Sequence, residues 1–224
     1  MIDRATWLAE RRAAVRAEYD DEATTYDEQA YPVPLHHGFV ARLLDQTRAA
    51  GRVLDAPCGT GRWFGPVVES GRSVVGVDQS SGMLEQARAK GLAGELILVG
   101  LQELPFVDEF DAAMTIDALE NVPPEEWPLV LANMRRALKT GAPWYLTIEE
   151  SDQSDVDDAF ARHTAEGLPI VRGEVIEGDV AGYHYYPGRD RALAWLAEAG
   201  FAVADEAFDQ QEGWGYRHLI VRAG

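Results

Sequence analysis

The sequence has 224 residues, of which 46% are hydrophobic and 26% are charged, and this composition is typical of a globular chain long enough for one α/β domain. Its formal net charge of −18 argues against nucleic acid and an anionic membrane as partners, since both repel an acidic protein. A single cysteine excludes an intrachain disulfide and a cysteine-based zinc cluster, and we expect no metal. Without an apolar signal segment or a bilayer-length apolar run, the chain is expected to be cytoplasmic.

The N-terminal segment, residues 1–34, is predicted to be helical and then to turn. A helical pattern occupies residues 6–23, with a few aromatic and aliphatic positions among charged ones. Pro32 and Pro34 then favour an extended or turning backbone. A second amphipathic helix follows and stops at Gly51.

After Gly51 the pattern alternates between short apolar runs and helical stretches, which predicts a parallel sheet covered by helices on both faces. Five strands are expected at residues 53–55, 73–77, 95–99, 111–115 and 144–148. The helices between them are expected at residues 62–70, 81–90 and 124–139. Two terminal strands, FAVADEAF and GYRHLIVRA, complete the prediction. The expected fold is α/β: a doubly wound, mostly parallel seven-stranded sheet with an antiparallel C-terminal strand.

The alternation is interrupted after the fifth strand, over residues 150–188. An acidic turn and a short helix come first, followed by IVRGEVIEGDVAGYHYYPG, which is typical of a hairpin with glycine at its bends. The simplest organisation is one domain over residues 1–224, with a helical N-terminal segment and this small insertion.

The stretch VLDAPCGTGRW joins the first predicted strand to the following helix. Gly59 and Gly61 lack a Cβ atom, so a ligand can approach the backbone, and the helix N-terminus beyond them favours a carboxylate. A dinucleotide motif would have a third small residue where Phe64 stands, and Asp55 would repel a pyrophosphate. Both features disfavour NAD and FAD.

The second strand also ends in an acid, Asp78, within VVGVDQS. A carboxylate at this position can accept hydrogen bonds from both hydroxyls of a ribose. Alternatively, Asp55 and Asp78 cap turns and helix starts. Together with Gly-x-Gly, they indicate a pocket for a ribose and an amino acid zwitterion, which S-adenosylmethionine (SAM) fits.

Several motifs follow in the order found in one family. VLDAPCGTGRW is similar to its first motif, with Pro57 in place of the first glycine, and VVGVDQSSGMLEQA is similar to its second-strand acid and helix. VGLQELPF, FDAAMTIDALENVPPEEW, LKTGAPWYLTIEE and HLIVRA resemble its later strands and loops. Along most of its length, the chain resembles the class I, Rossmann-like SAM-dependent methyltransferases.

The resemblance implies a SAM site and a role for each matching residue. Asp55 would orient the ammonium of the cofactor, and Asp78 would hold the ribose. The two tyrosines of the N-terminal segment would close over it. The implied cofactor residues are Tyr19, Tyr26, Asp55, Gly59, Gly61, Asp78, Gln79, Met83, Leu101, Gln102, Ile116 and Asp117.

The resemblance also places the acceptor beside the insertion, which together with residues 1–34 would cover the cleft. If the acceptor is a hydroxyl or a protonated amine, a base must remove its proton, and the candidates are His184, His37 and Glu149. Glu120 and Glu149 either bind a cationic acceptor or take a proton, or they cap the turns that follow. His163 is expected to face solvent.

These observations predict transfer of a methyl group from SAM to an O or N nucleophile of a small-molecule acceptor. The expected partner is therefore a small molecule, with no nucleic acid and no membrane, and the protein is expected to be a monomer or a homodimer. One alternative is a non-catalytic SAM-binding sensor or partner subunit. The other is a nicotinamide-dependent oxidoreductase on a related fold.

Overall fold

A computed structural model describes residues 3–29, 34–178 and 181–224. Within them, one seven-stranded sheet has the order β3-β2-β1-β4-β5-β9-β8, and a separate hairpin pairs β6 with β7. The strands are β1 Arg52–Asp55, β2 Ser73–Asp78, β3 Glu95–Leu98, β4 Ala112–Thr115, β5 Pro143–Ser151, β6 Glu174–Ile176, β7 Tyr183–Tyr185, β8 Phe201–Gln210 and β9 Trp214–Ala223. β1 to β5 are parallel, and β9 runs antiparallel to both β5 and β8. The predicted fold class is confirmed.

Helices cover both faces of this sheet. They are α1 Arg4–Glu22, α2 Tyr26–Gln29, α3 Pro34–Gln46, α4 Phe64–Glu69, α5 Ser81–Lys90, α6 Trp127–Ala137, α7 Gln153–Ala165 and α8 Arg189–Glu198, with short 3₁₀ turns at Leu101–Glu103 and Leu119–Asn121. Successive strand residues point to opposite faces. Val53 therefore packs in the core beneath α3 and α4, while Leu54 packs in the core on the α6 side.

Some element boundaries differ from the prediction. The helix expected from residue 62 begins at Phe64, because Gly61 has a φ of +74° and belongs to the preceding turn. The helix expected from residue 124 begins at Trp127, after a further turn. Asp111 precedes β4 instead of opening it, and its side chain accepts a hydrogen bond from the Arg48 guanidinium. Pro32 lies outside the described residues.

Phe64 occupies the position where a dinucleotide fold has a small residue, and two glycines make room for its ring. A Cβ atom on Gly61 would lie 2.5 Å from the ring, and one on Gly76 of β2 would lie 2.7 Å from it. The same added atom on Gly76 would lie 2.8 Å from Cys58 Sγ. The helix therefore packs on the sheet through an aromatic ring set against bare backbone.

Helix α1 is joined to the insertion by a buried ion pair. Arg4 donates to both carboxylate oxygens of Glu174, at 2.7 and 3.0 Å, and Tyr183 donates to the same carboxylate at 2.6 Å. The Trp7 and Tyr183 rings meet edge to face, with centroids 5.9 Å apart. These contacts hold the N-terminal helix against the hairpin β6–β7.

Helices α1 and α2 are also tied to the main sheet. Asp20 accepts hydrogen bonds from the Gly82 amide at 2.8 Å and from the Ser80 hydroxyl at 2.7 Å. Asp27 of α2 accepts one from Thr60, at 2.6 Å, in the loop after β1. The N-terminal segment is therefore anchored on the loops that follow β1 and β2.

His163 is buried in α7, so its predicted exposure to solvent was wrong. It lies on the helix face that packs against β6, and its Nδ1 atom is 3.0 Å from Glu166 Oε2. None of the described helices is both long and apolar enough to cross a bilayer.

We predict that Gly76→Ala lowers the free energy of unfolding by about 1–3 kcal/mol, because the new methyl group overpacks the site of Phe64 and Cys58. Gly65→Ala is the control, since its added Cβ meets no atom within 4 Å and alanine favours the helix by about 0.5–1 kcal/mol. Urea denaturation of both variants measures the difference. Equal stability of the two would contradict the packing described for Phe64.

Candidate cofactor and acceptor site

The principal cleft lies where the strand order reverses. β1 has β2 on one side and β4 on the other, so the loops after these strands diverge and leave a crevice at their carboxyl ends. The segments Pro57–Gly59, Asp78–Gln79 and Ile116–Ala118 contribute to its wall. Doubly wound folds bind their ligands at this position.

Asp78 connects the two loops on one side of the cleft. Its Oδ2 atom accepts a hydrogen bond from the Gly59 amide at 2.8 Å, and its Oδ1 atom accepts one from the Ser80 amide at 2.8 Å. Burial raises the pKa of Asp78, while these backbone donors act in the opposite direction. Each carboxylate oxygen has a second lone pair, so the group retains acceptor capacity toward the cleft that it lines.

The two motif glycines have different surroundings. Gly59 lines the cleft, has a φ of +52°, and has open space where a side chain would be. Gly61 is not among the lining residues, and its missing side chain makes room for the Phe64 ring. Gly59 therefore offers bare backbone to a ligand, whereas Gly61 serves the packing of helix α4.

Asp55 is buried beneath the cleft rather than on its wall. Its Oδ2 atom has no hydrogen-bond partner, and no cation of the described chain forms an ion pair with it. Burial and then the negative charge of Asp78 raise the pKa of Asp55 well above its ordinary value. Two carboxyl groups at neighbouring strand ends thus lack a positive partner, which a cationic ligand would supply.

Ten of the twelve predicted cofactor residues line this one cleft; Asp55 and Gly61 are the exceptions. The ten are Tyr19, Tyr26, Gly59, Asp78, Gln79, Met83, Leu101, Gln102, Ile116 and Asp117. The tyrosines reach it from α1 and α2, and their rings meet edge to face with centroids 6.0 Å apart.

Sequence reasoning missed three arginines in this cleft: Arg11, Arg12 and Arg62. Arg62 lines it, directly after the motif, and its buried Nη2 atom has no hydrogen-bond partner. Arg12 lines it from α1, in register with Leu8, Val15 and Tyr19. These four positions are spaced by four, three and four residues, so the helical period could have revealed Arg12.

Beside the cleft, three carboxyl groups form what we call the acidic cluster: Asp117, Glu120 and Glu149. Asp117 follows β4 and also lines the cleft, Glu120 lies in the 3₁₀ turn, and Glu149 lies near the end of β5. Asp117 has a φ of +50°, and its amide donates to Thr147 at 2.7 Å. Such left-handed backbone at a non-glycine residue is often found at functional sites.

The members of the acidic cluster influence one another. Burial, followed by the charges of Glu149 and Asp117, raises the pKa of Glu120 well above its ordinary value. Burial, followed by the charges of Asp117 and Glu177, raises the pKa of Glu149 to about 7. Proton exchange near neutral pH is therefore within reach of this part of the site.

The histidine candidates occupy three environments. His184 Nδ1 lies 3.6 Å from Glu149 Oε2 and 2.9 Å from the Tyr186 hydroxyl, and burial lowers the pKa of His184, which favours the neutral ring. His37 is exposed and its ring packs against Trp63. Its neighbour His36 is buried with Nε2 3.2 Å from Asp117. His184 and Glu149 thus meet, whereas His37 lies on the exposed side of its helix.

Comparison with known proteins agrees with this geometry. A family model described as a methyltransferase domain matches residues 53–141. A demethylmenaquinone methyltransferase of Clavibacter sepedonicus is 28% identical, over 88% of this chain and 86% of the relative. A malonyl-[acyl-carrier protein] O-methyltransferase of Erwinia pyrifoliae is 31% identical, over 77% of this chain and 67% of the relative.

Solved structures share the fold. A 1,6-didemethyltoxoflavin-N1-methyltransferase of Burkholderia thailandensis, with bound S-adenosylhomocysteine, has a TM-score of 0.73 at 18% identity and covers 100% of this chain and 91% of its own. A magnesium protoporphyrin IX methyltransferase of Synechocystis, also with S-adenosylhomocysteine, has a TM-score of 0.69 at 16% identity and covers 96% of this chain and 100% of its own.

Sheet order and cleft define a Rossmann-like methyltransferase fold. The chain belongs to the class I SAM-dependent methyltransferases, and its cofactor is SAM. Its residues fit this group: the unpartnered Asp55 Oδ2 calls for a donor, and the open space at Gly59 admits a ligand against the backbone. Membership of this family sets aside the nicotinamide and sensor alternatives.

We predict that Asp78→Asn weakens SAM binding about tenfold or more, because a charged acceptor for the ribose hydroxyls is lost. Asp111→Asn is the matched control: Asp111 is also a buried aspartate beside a strand, but it precedes β4, at the opposite end of the sheet. Titration calorimetry with SAM measures both. Unchanged affinity in Asp78→Asn would contradict the ribose assignment.

We predict that Glu149 makes the fold less stable as the pH rises from 4.5 to about 7. Burial and the charges of Asp117 and Glu177 raise its pKa over this interval, with Glu120 and His184 also facing it, so the folded state binds more protons than the unfolded chain. This contribution is complete below pH 4.5 and is lost as the pH passes 7. Urea titrations should show wild type losing stability relative to Glu149→Gln across that window. A constant difference would refute the shift.

Proposed function

We propose that this methyltransferase transfers the methyl group of SAM to an O or N nucleophile of a small-molecule acceptor bound at the acidic cluster. The observation that carries the proposal is the pair His184–Glu149, which adjoins Asp117, a residue common to the cleft and the cluster. The net charge of −18 is consistent with a small acceptor and opposes a polyanion.

The acceptors for which related proteins are named support a proposal that covers both O and N nucleophiles. Demethylmenaquinone and malonyl-[acyl-carrier protein] are named as methyl acceptors among the sequence relatives, and a toxoflavin precursor is named for a structural neighbour methylated at nitrogen. Both O and N acceptors therefore occur on chains that resemble this one.

In the proposed cofactor site, Asp78 binds the ribose and Asp55 orients the ammonium group. Arg62, whose Nη2 atom has no partner, pairs with the carboxylate of the methionine portion. Tyr19 and Tyr26 cover the cofactor from the N-terminal segment. The remaining lining residues, Gln79, Met83, Leu101, Gln102 and Ile116, bound the nucleoside and the methionyl chain.

When bound, SAM supplies an activated methyl group on its sulfonium, so the protein contributes mainly alignment, which is worth on the order of 7–11 kcal/mol. His184 is neutral and accepts the proton of the acceptor nucleophile. The acceptor-side insertion, residues 150–188, and the lid, residues 1–34, exclude water from this step. Both belong to one domain that comprises residues 1–224.

Incubation with SAM labelled in its methyl group and a panel of small O and N acceptors tests the proposed function. Label should appear on a small acceptor, and none should appear on RNA, DNA or bulk protein. SAM binding without transfer to any member of the panel would contradict the proposal, and so would label on a macromolecule.

We predict that His184→Ala lowers kcat about 100-fold, the low end of what a general base contributes, while SAM affinity stays unchanged. His163→Gln is the control, since this histidine of the insertion is buried but pairs with Glu166. Labelled transfer gives kcat, and calorimetry gives the affinity. An unaltered rate in His184→Ala would remove this residue from proton transfer and leave Glu149 and His37 to be tested in the same way.

A further inference from the structure

The acidic cluster lacks the cations that neutralise other buried carboxylates of this fold. Buried Glu174 pairs with Arg4, and buried Asp111 pairs with Arg48 and Lys139. Within the described ranges, the only basic side chains that contact the acidic cluster are histidines: His36 lies 3.2 Å from Asp117, and His184 lies 3.6 Å from Glu149. No lysine or arginine of the described chain forms an ion pair with any of its three carboxyl groups.

Glu120 differs from a merely acidic surface residue, because one oxygen of its carboxylate is buried and lacks a hydrogen-bond donor. Its side chain is only 6% exposed, and its Oε2 atom is fully buried without a hydrogen-bond partner. A buried carboxylate oxygen without a donor is costly, because its water is lost and nothing replaces it. This unpaired oxygen lies between β5 and β7, because both strands pack against the turn that holds Glu120. A ligand that brings a donor would remove this cost.

Three tyrosines on which the charge of Glu120 acts indicate that this ligand is a cation. Burial together with the charge of Glu120 raises the pKa of Tyr216, and the same charge acts on Tyr19 and Tyr186 in addition to stronger causes. Tyr216 also sits directly opposite Glu149 in the β5–β9 ladder. Faces of aromatic rings attract cations, and rings combined with carboxylates form a common binding site for ammonium groups.

The occupant is an organic cation rather than a metal ion. Across residues 3–29, 34–178 and 181–224, no three His, Cys, Asp or Glu side chains are grouped so that they could hold a metal. Carboxyl groups that are not grouped as metal ligands, with Tyr216 opposite Glu149, suit an ammonium group with its attached carbon atoms. Asp117 belongs to the acidic cluster and also lines the cofactor cleft, so a ligand held by the cluster adjoins the cofactor.

We infer that the methyl acceptor carries a protonated amine, and that Asp117, Glu120 and Glu149 bind this ammonium group among Tyr19, Tyr186 and Tyr216. The inference rests on the proposed function, because it names the class of acceptor for the same site. The ammonium group gives Glu120 Oε2 the donor that it lacks. It also separates the three like charges by a positive one.

The test measures amine selectivity in protein loaded with S-adenosylhomocysteine. Cyclohexylamine, benzylamine and butylamine are each titrated against the alcohol with the same carbon skeleton, at pH 7, by calorimetry. We expect at least one amine to bind about tenfold or more tightly than its alcohol. Glu120→Gln, which preserves shape and removes the charge, should abolish this preference.

Glu150→Gln is the matched control. Glu150 is the neighbour of Glu149 in β5, carries the same charge, and pairs with Arg217 outside the acidic cluster. It should retain the amine preference, which shows that the overall charge of the protein is not responsible. Glu149→Gln provides a second variant within the cluster, and bound S-adenosylhomocysteine reports that each variant is folded.

The outcomes separate the inference from the proposed function. Equal affinity for amine and alcohol on all three skeletons would overturn the inference, as would an amine preference that survives in Glu120→Gln. Loss of cofactor affinity in Glu120→Gln by the same factor would also overturn it, because the carboxylates would then serve SAM. Methyl transfer to a neutral acceptor alone would overturn the inference and leave the methyltransferase function intact. An amine preference without any transfer to a small acceptor would support an ammonium site at the acidic cluster and contradict the proposed function.

Discussion

The carboxylate of Asp78 is the interaction on which the rest of this structure depends. By accepting one backbone hydrogen bond from Gly59 and another from Ser80, it ties the loop after β1 to the loop after β2. The strand order reverses between β1 and β4, so the loop after β4 diverges from these two loops and leaves the cleft between them. Burial, and then the negative charge of the Asp78 carboxylate, raise the pKa of Asp55, which leaves two acids in need of a positive partner.

A second unbalanced group of acids lies along the same edge of the sheet. Two buried carboxylates elsewhere, Glu174 and Asp111, pair with arginine or lysine, and those pairs hold α1, the insertion and the base of the sheet in place. Among the described residues, Asp117, Glu120 and Glu149 have no arginine or lysine partner of this kind. Uncompensated groups at a cleft are costly for stability, and they are the groups with which an enzyme binds its ligands. Helix α1 and the insertion are therefore held together by an ion pair, next to a site whose own carboxyl groups lack arginine and lysine partners.

Much of the fold could be read from the sequence, because the alternation of buried strands and amphipathic helices is a local property. Predicted strand positions agree with the structure to within a few residues, and the order of motifs indicated the family. Boundaries near residues 62 and 124 were less accurate, since a turn that precedes a helix has a similar composition. Burial of His163 was missed because it depends on β6, a strand of the insertion that packs against α7.

The sequence by itself determined the class of fold, the two acid-tipped strands and the glycine between them, because these features follow from periodicity and from short-range chemistry. Only the tertiary structure decided which member of each local pair faces the site. His36 is buried and His37 is exposed. Gly59 offers open space at the cleft, whereas the missing side chain of Gly61 makes room for the Phe64 ring. The tertiary structure also brought Glu120, Glu149 and Tyr216 together from a turn and two strands that lie far apart in the chain. Contacts of this kind arise from the packing of elements, which no local pattern encodes.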